Sequence, residues 1–246
     1  MNFSLQRPAI AMIELIFAIV VMGIVMMSAP QLLSTASKSG YVAIQQEGIN
    51  EAATQLNTIL SYPWDENNSY DENNSHTSVL YVTNGNSDLN ISAGIVTGPK
   101  RRLGTPKESK RNFIADDTNE YNASTIGWDT GEANASTDID DIDDFNGTSV
   151  NLVLDDATGA SDYIEKGNQI NIARTVSYMD DNASYNDGGG GTLNFNPFTN
   201  KTGTTNIKHI QVTLTSTSGV AELAKTITLH AFSCNIGTYE LKETTP

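Results

Sequence analysis

The chain has 246 residues, of which 29 are acidic and 14 are Lys or Arg, giving a formal net charge of -15. So negative a chain lacks the cationic surface that phosphate backbones require, which excludes nucleic acid as a partner. Its single cysteine, Cys234, cannot form an internal disulfide, so the head must be held by its core, and Cys234 is expected as a small buried apolar residue. Enzyme chemistry finds no foothold: there is no nucleophile elbow, Walker loop or paired-cysteine motif, and His76, His209 and His230 lack metal-ligand spacing. His209 and His230 read instead as structural neighbours across two strands.

In chain order, residues 1–9 are polar, carry one cation (Arg7) and end in Pro8 and Ala9. Residues 10–29 are an apolar run of twenty, long enough as a helix to cross a hydrocarbon core of ~30 Å. Glu14 sits inside this run, where a carboxylate is costly and needs a partner. A secretory signal places its small-residue cleavage site after the apolar region, whereas Ala9 precedes it. These features together resemble the type IV prepilin and pseudopilin family. The resemblance implies a leader (1–9) cut by prepilin peptidase between Ala9 and Ile10, N-methylation of Ile10, and Glu14 as the fifth residue of the processed chain. Gly23 falls where that family often has a helix glycine. The family usually has glycine before the cut and phenylalanine after it, and here Ala9 and Ile10 stand in those places. In physical terms Glu14 would neutralise the new amine of a neighbouring subunit, since either charge alone in an apolar bundle costs far more than the pair. The competing reading is an uncleaved, signal-anchored surface ectodomain, an adhesin or a sensor.

Leu33, Ala36, Tyr41, Ile44, Ile49, Ala52, Leu56 and Leu60 continue at helical spacing, so an amphipathic helix is expected over 30–62, kinked or broken at Pro30 and ended by Pro63. The stretch 63–147 is rich in Asn, Asp, Ser, Thr and Gly, with short strand candidates at 78–83 and 91–96. A basic cluster at Lys100, Arg101, Arg102, Lys107, Lys110 and Arg111 compensates acidity within the head. Strands are expected at 149–154 and 170–178, a flexible loop at Gly188 to Gly191, and a closing hairpin of 207–215 and 224–232. In that hairpin Ile210, Val212 and Leu214, and then Ile227, Leu229 and Ala231, alternate with polar residues, so one face should cover the helix. The expected fold class is α+β, type IV pilin-like: a leader (1–9), a transmembrane assembly helix (10–29), its amphipathic continuation (30–62), and an antiparallel β-sheet head with long loops (63–246).

Two interior landmarks, Tyr62-Pro63-Trp64-Asp65-Glu66-Asn67 and the acidic run from Asp140 to Gly147, are similar to the minor pilin-like proteins of mannose-sensitive haemagglutinin (MSHA) pilus systems. Asn146 replaces the histidine found there. No cofactor is required on this reading. Asp140, Asp141, Asp143 and Asp144 nonetheless offer hard oxygen ligands to calcium, although the spacing fails the EF-hand pattern. A solvated acidic loop is the alternative.

Outside the leader, Asn-x-Ser/Thr occurs at eight positions, and in seven of them an acid stands two residues earlier: Asn67, Asn73, Asn90, Asn122, Asn134, Asn146 and Asn182, but not Asn200. The extended pattern resembles the acceptor of bacterial N-linked glycosylation, against a background of turns that are rich in Asp, Asn and Ser anyway. Taken together, the expectation is a minor pilin-like structural subunit of a type IV pilus, an MSHA-type pilus or a type II secretion filament. Its partners would be prepilin peptidase, other pilin or pseudopilin subunits, the inner-membrane assembly platform and membrane lipid. It would sit in the inner membrane with its head in the periplasm and reach the cell surface or filament on assembly.

Overall fold

A computed structural model of the protein describes residues 7–69, 79–86, 89, 122–129, 132, 138–153, 169–181, 198–216 and 223–237. The chain begins these with one 54-residue helix, α1 (Arg7–Leu60). Pro30 lies inside it and does not end it. The carbonyls around Pro30 gain side-chain donors, Ser28 Oγ to Val25 O at 3.0 Å and Thr35 Oγ1 to Gln31 O at 2.9 Å, the usual way a helix absorbs polar disturbance locally.

Four strands, β1 (Ser149–Val153), β2 (Gln169–Tyr178), β3 (Ile207–Ser216) and β4 (Thr226–Cys234), form one antiparallel sheet in the order β1-β2-β3-β4. Val212 pairs with Arg174 on one side and Leu229 on the other, so the alternating positions run in phase across the sheet. Ile170, Ile172, Val176, Ile210, Val212 and Leu214 make the inner face, and they bury Ala52 and Ile59 of α1 beneath them. The architecture is therefore α+β, a long helix laid on an antiparallel sheet.

Two short elements complete the described head: α2 (Glu66–Ser69), just after α1, and a single 3-10 turn at Asp143–Phe145. Ile142 and Phe145 enter the helix–sheet core, while Trp64, Leu80, Val82 and Tyr178 form a second apolar cluster.

The helix face that meets the sheet keeps only part of the expected stripe: Ala52 is buried and Ile44 and Leu56 pack against the core, whereas Leu33, Ala36 and Leu60 are exposed and Gly48 and Ile59, outside the stripe, are buried. The reason is close approach: a Cβ on Gly48 would lie 2.8 Å from Leu214 Cδ1 and 3.3 Å from Ile170 Cδ1. Cys234 is likewise exposed rather than buried, because its parity on β4 matches His230 and Phe232 on the outer face. The expected strand at 78–83 is reduced to one parallel bridge, Tyr81 with Asn122. The strand candidate 91–96, the basic cluster 100–111 and the glycine run lie outside the described residues.

Replacing Gly48 with Leu inserts side-chain volume where only hydrogen now fits, and should destabilise the head by about 1–3 kcal/mol. Thermal unfolding of the full chain in detergent measures this, with Gly40→Leu as the control because its Cβ would meet nothing within 4 Å.

Candidate functional site

Two regions of the molecule carry features that folding alone does not require. The first is the N-terminal half of α1. Residues 11–40 are all exposed, and the large apolar side chains among them include Phe17 at 70% and Met27 at 76% exposure. Glu14 is the only acid in that stretch. It lies along a shallow apolar groove with Ile13, Phe17, Val21, Met22 and Val25. A Cβ on Gly23 would touch nothing within 4 Å, so nothing in the chain's own packing demands glycine there. The helix is long and apolar enough to cross a membrane. Ala9 and Ile10, at the expected cut, fall in the first turn of α1.

The second region lies where α1 hands over to the head. Lys208 is completely buried, in register with the inner face of β3 two residues before Ile210. Its ammonium donates to Trp64 O at 2.6 Å and meets Asp65 Oδ2 at 3.3 Å and Asp143 Oδ2 at 3.2 Å. It also stands 4.5 Å from the centre of the Trp64 ring and 5.5 Å from that of Tyr178, where a cation gains further from the ring faces.

Each acid around Lys208 is further committed. Asp65 Oδ2 accepts from Ser124 N at 2.9 Å and Ser124 Oγ at 3.1 Å, and Asp65 Oδ1 accepts from Asn67 N at 3.2 Å. Asp141 accepts from Glu66 N at 2.8 Å and Asp143 N at 2.7 Å. The Tyr178 hydroxyl donates to Ser124 O at 2.8 Å. Burial raises Asp65 above the usual carboxylate range despite Lys208, and burial together with a hydrogen bond to Asp141 pushes Asp143 up to about 9.

The acidic run is thus internal scaffolding rather than a solvated loop: Asp141, Asp143 and Asp144 are buried and only Asp140 is exposed. The four aspartates expected together as calcium ligands are drawn to different places. Asp141 and Asp143 join Asp65 at Lys208, where the ammonium already supplies the positive charge. Asp144 Oδ2 turns back to accept from Asp140 N at 3.0 Å and Asp141 N at 3.3 Å. The carboxyl of Asp140 groups instead with those of Glu66 and Glu132, oxygens within 4.8 Å of one another. In that group a hydrogen bond with Asp129, then burial, raises Glu66 to about 7.

Of the candidate glycosylation sites, Asn122 is exposed, while Asn67 and Asn146 are half-buried. Asn67 Nδ2 donates to Asn122 O at 3.0 Å, and Asn146 Oδ1 accepts from Val176 N at 3.1 Å. Asp65 and Asp144, the acids preceding these two, serve the network above, which gives the Asp-x-Asn spacing a structural use at those positions. Asn73, Asn90, Asn134 and Asn182 lie outside the described residues.

On the outer face of the sheet, His209 and His230 do come together, Nε2 to Nδ1 at 2.9 Å with near-parallel rings, and Phe232 stacks beside them. The exposed Phe198 lies across all three rings, at centroid distances of 5.6–6.0 Å. Burial, then the neighbouring His230, lowers His209.

Sequence reasoning missed Lys208, Ser124 and Tyr178. For Lys208 a signal existed: extending the alternation of Leu214, Val212 and Ile210 back one step places a lysine on the buried face. No protein-family model, curated protein or solved structure matches this chain.

Lys208→Met should cost about 3–5 kcal/mol, because it leaves Asp65 and its neighbours buried without a cation; denaturant unfolding of the two full-length proteins measures the difference. His209 gives a separate pH signature. Its folded-state value lies below 6.5, so the unfolded chain takes up the proton first, and stability falls as pH drops below about 6.5. Melting temperatures between pH 5 and 7.5 should show this slope in the wild type and a shallower one in His209→Gln.

Proposed function

We propose that the protein is a minor pilin-like structural subunit that polymerises through its N-terminal helix, in a type IV pilus, an MSHA-type pilus or a type II secretion filament. One observation supports this above the others: a single helix is bare over residues 11–40, apolar from 11 to 33 apart from Glu14, Ser28 and Gln31, and then packs on the sheet of its own head. A bare apolar surface of that length needs lipid or other helices around it. Both environments serve the reading, lipid before assembly and neighbouring subunits after it. Glu14 is the assembly residue: an ionised acid surrounded by Ile13, Phe17 and Val21 is stable only against a cation. The amine of a processed, methylated Ile10 on an adjacent subunit supplies one. Prepilin peptidase, the inner-membrane platform and sister subunits are the partners, and the head is carried from the periplasmic side to the filament surface. Chemistry on a substrate has no part in this mechanism.

An uncleaved anchor predicts a different dependence on Glu14, so the two readings separate by mutation. With Glu14→Ala in the native host, the subunit should remain in the membrane fraction and its amount in sheared filaments should fall at least tenfold, read by immunoblot. Undiminished Glu14→Ala subunit in filaments would refute the charge-pair mechanism.

A further inference from the structure

We infer that Lys208 and Asp143 condense into an intramolecular amide bond, with Asp141 carrying the proton and Ser124 holding the acyl oxygen. The two reacting groups are already in place. Lys208 Nζ lies 3.2 Å from Asp143 Oδ2, both side chains are buried, and Trp64 and Tyr178 close the site on the lysine side. Groups held in contact on a strand and a 3-10 turn need no bimolecular encounter, so the entropy cost of bringing amine and carboxyl together is already met by folding.

Two acids touch Lys208, and their surroundings assign them different roles. Asp65 receives two backbone hydrogen bonds, from Asn67 N and Ser124 N, which favour its ionised and unreactive form against the burial that raises it. Asp143 receives Ser124 Oγ at 3.1 Å on the oxygen facing Lys208 and shares a hydrogen bond with the Asp141 carboxyl. Two carboxyl groups in contact share a proton, and a protonated Asp143 is the electrophilic form. Asp141 is positioned in turn by the Glu66 and Asp143 backbone N–H groups.

The reaction balances without any co-reactant. With the shared proton on Asp141, the Lys208 ammonium gives one proton to the Asp143 carboxylate that it touches, and the free amine attacks Cγ of the protonated Asp143. Asp141 hands its proton to the Asp143 hydroxyl, the C–O bond breaks, and water leaves. Asp141 then takes the second proton from nitrogen, leaving a neutral amide. Condensation removes a buried ammonium that is costly to desolvate. It also ties the acidic turn to β3 covalently, in a chain whose one cysteine cannot do so. This inference stands whether or not the chain polymerises.

The test is tryptic mass spectrometry of the full-length protein, purified folded and then denatured. The expected product is residues 202–225, uncut after Lys208, joined to residues 112–166 and lighter than their sum by one water, about 18 Da. Lys208→Arg, which keeps the cation, should give no joined product. In freshly refolded Asp141→Asn, with circular dichroism matching the wild type, joining should be slowed about 10²-fold. Ordinary cleavage after Lys208 in the folded wild type would overturn the bond. Joining of residues 39–100, which contain Asp65, would overturn the choice of Asp143. Unchanged kinetics in Asp141→Asn would remove Asp141 as the proton carrier.

Discussion

The described residues are arranged around a helix that the head only partly covers. The sheet takes the face of α1 bearing Gly48, Ala52 and Ile59 and leaves residues 11–40 without intramolecular cover. Apolar surface on that scale is unstable in water, and the helix is long and apolar enough for a bilayer to cover it. Glu14 sharpens the constraint, because an uncovered apolar helix needs no acid and a bilayer penalises one.

The head is built to hold the other end of that helix firmly. Immediately after α1 the chain reaches Trp64 and Asp65, whose carbonyl and carboxylate hold Lys208 of β3. The same carboxylate fixes Ser124, and Ser124 in turn reaches Asp143. Segments far apart in sequence therefore meet at one buried lysine. A buried ion pair is a poor source of net stability but a strong source of specificity, because mispaired alternatives strand a charge. A second polar staple works the same way: Asn235 bonds both N and O of Leu80, and Asp181 accepts from Asn86 N and Asn206 Nδ2. These bonds hold a strand-poor segment against the sheet without adding to it.

Long-period patterns were the legible part of the sequence. The apolar run with its acid, the helical spacing beyond Pro30 and the alternation of β3 and β4 each specify an element, and the ends of β1 to β4 agree with the expected strands to within about two residues. The helix face was misjudged at Leu33, Ala36 and Leu60, because hydrophobicity marks what a helix can bury while the sheet's reach decides what it does bury. Gly48 was invisible to that criterion, although its lack of a side chain is what lets α1 approach Leu214. The acidic run misled for a related reason: four aspartates between 140 and 144 read as solvated or metal-binding, whereas three of them are buried beside or near Lys208, more than sixty positions away. Local composition carries no trace of such a contact.

The central claim, that this chain is processed and then polymerises through its helix, is tested most directly by the N-terminal peptide of the protein isolated from its native membranes. Peptide mass spectrometry should find a chain that begins at N-methylated Ile10, with residues 1–9 removed. Full retention of residues 1–9 in cells with active prepilin peptidase would contradict it and leave a membrane-anchored ectodomain in its place.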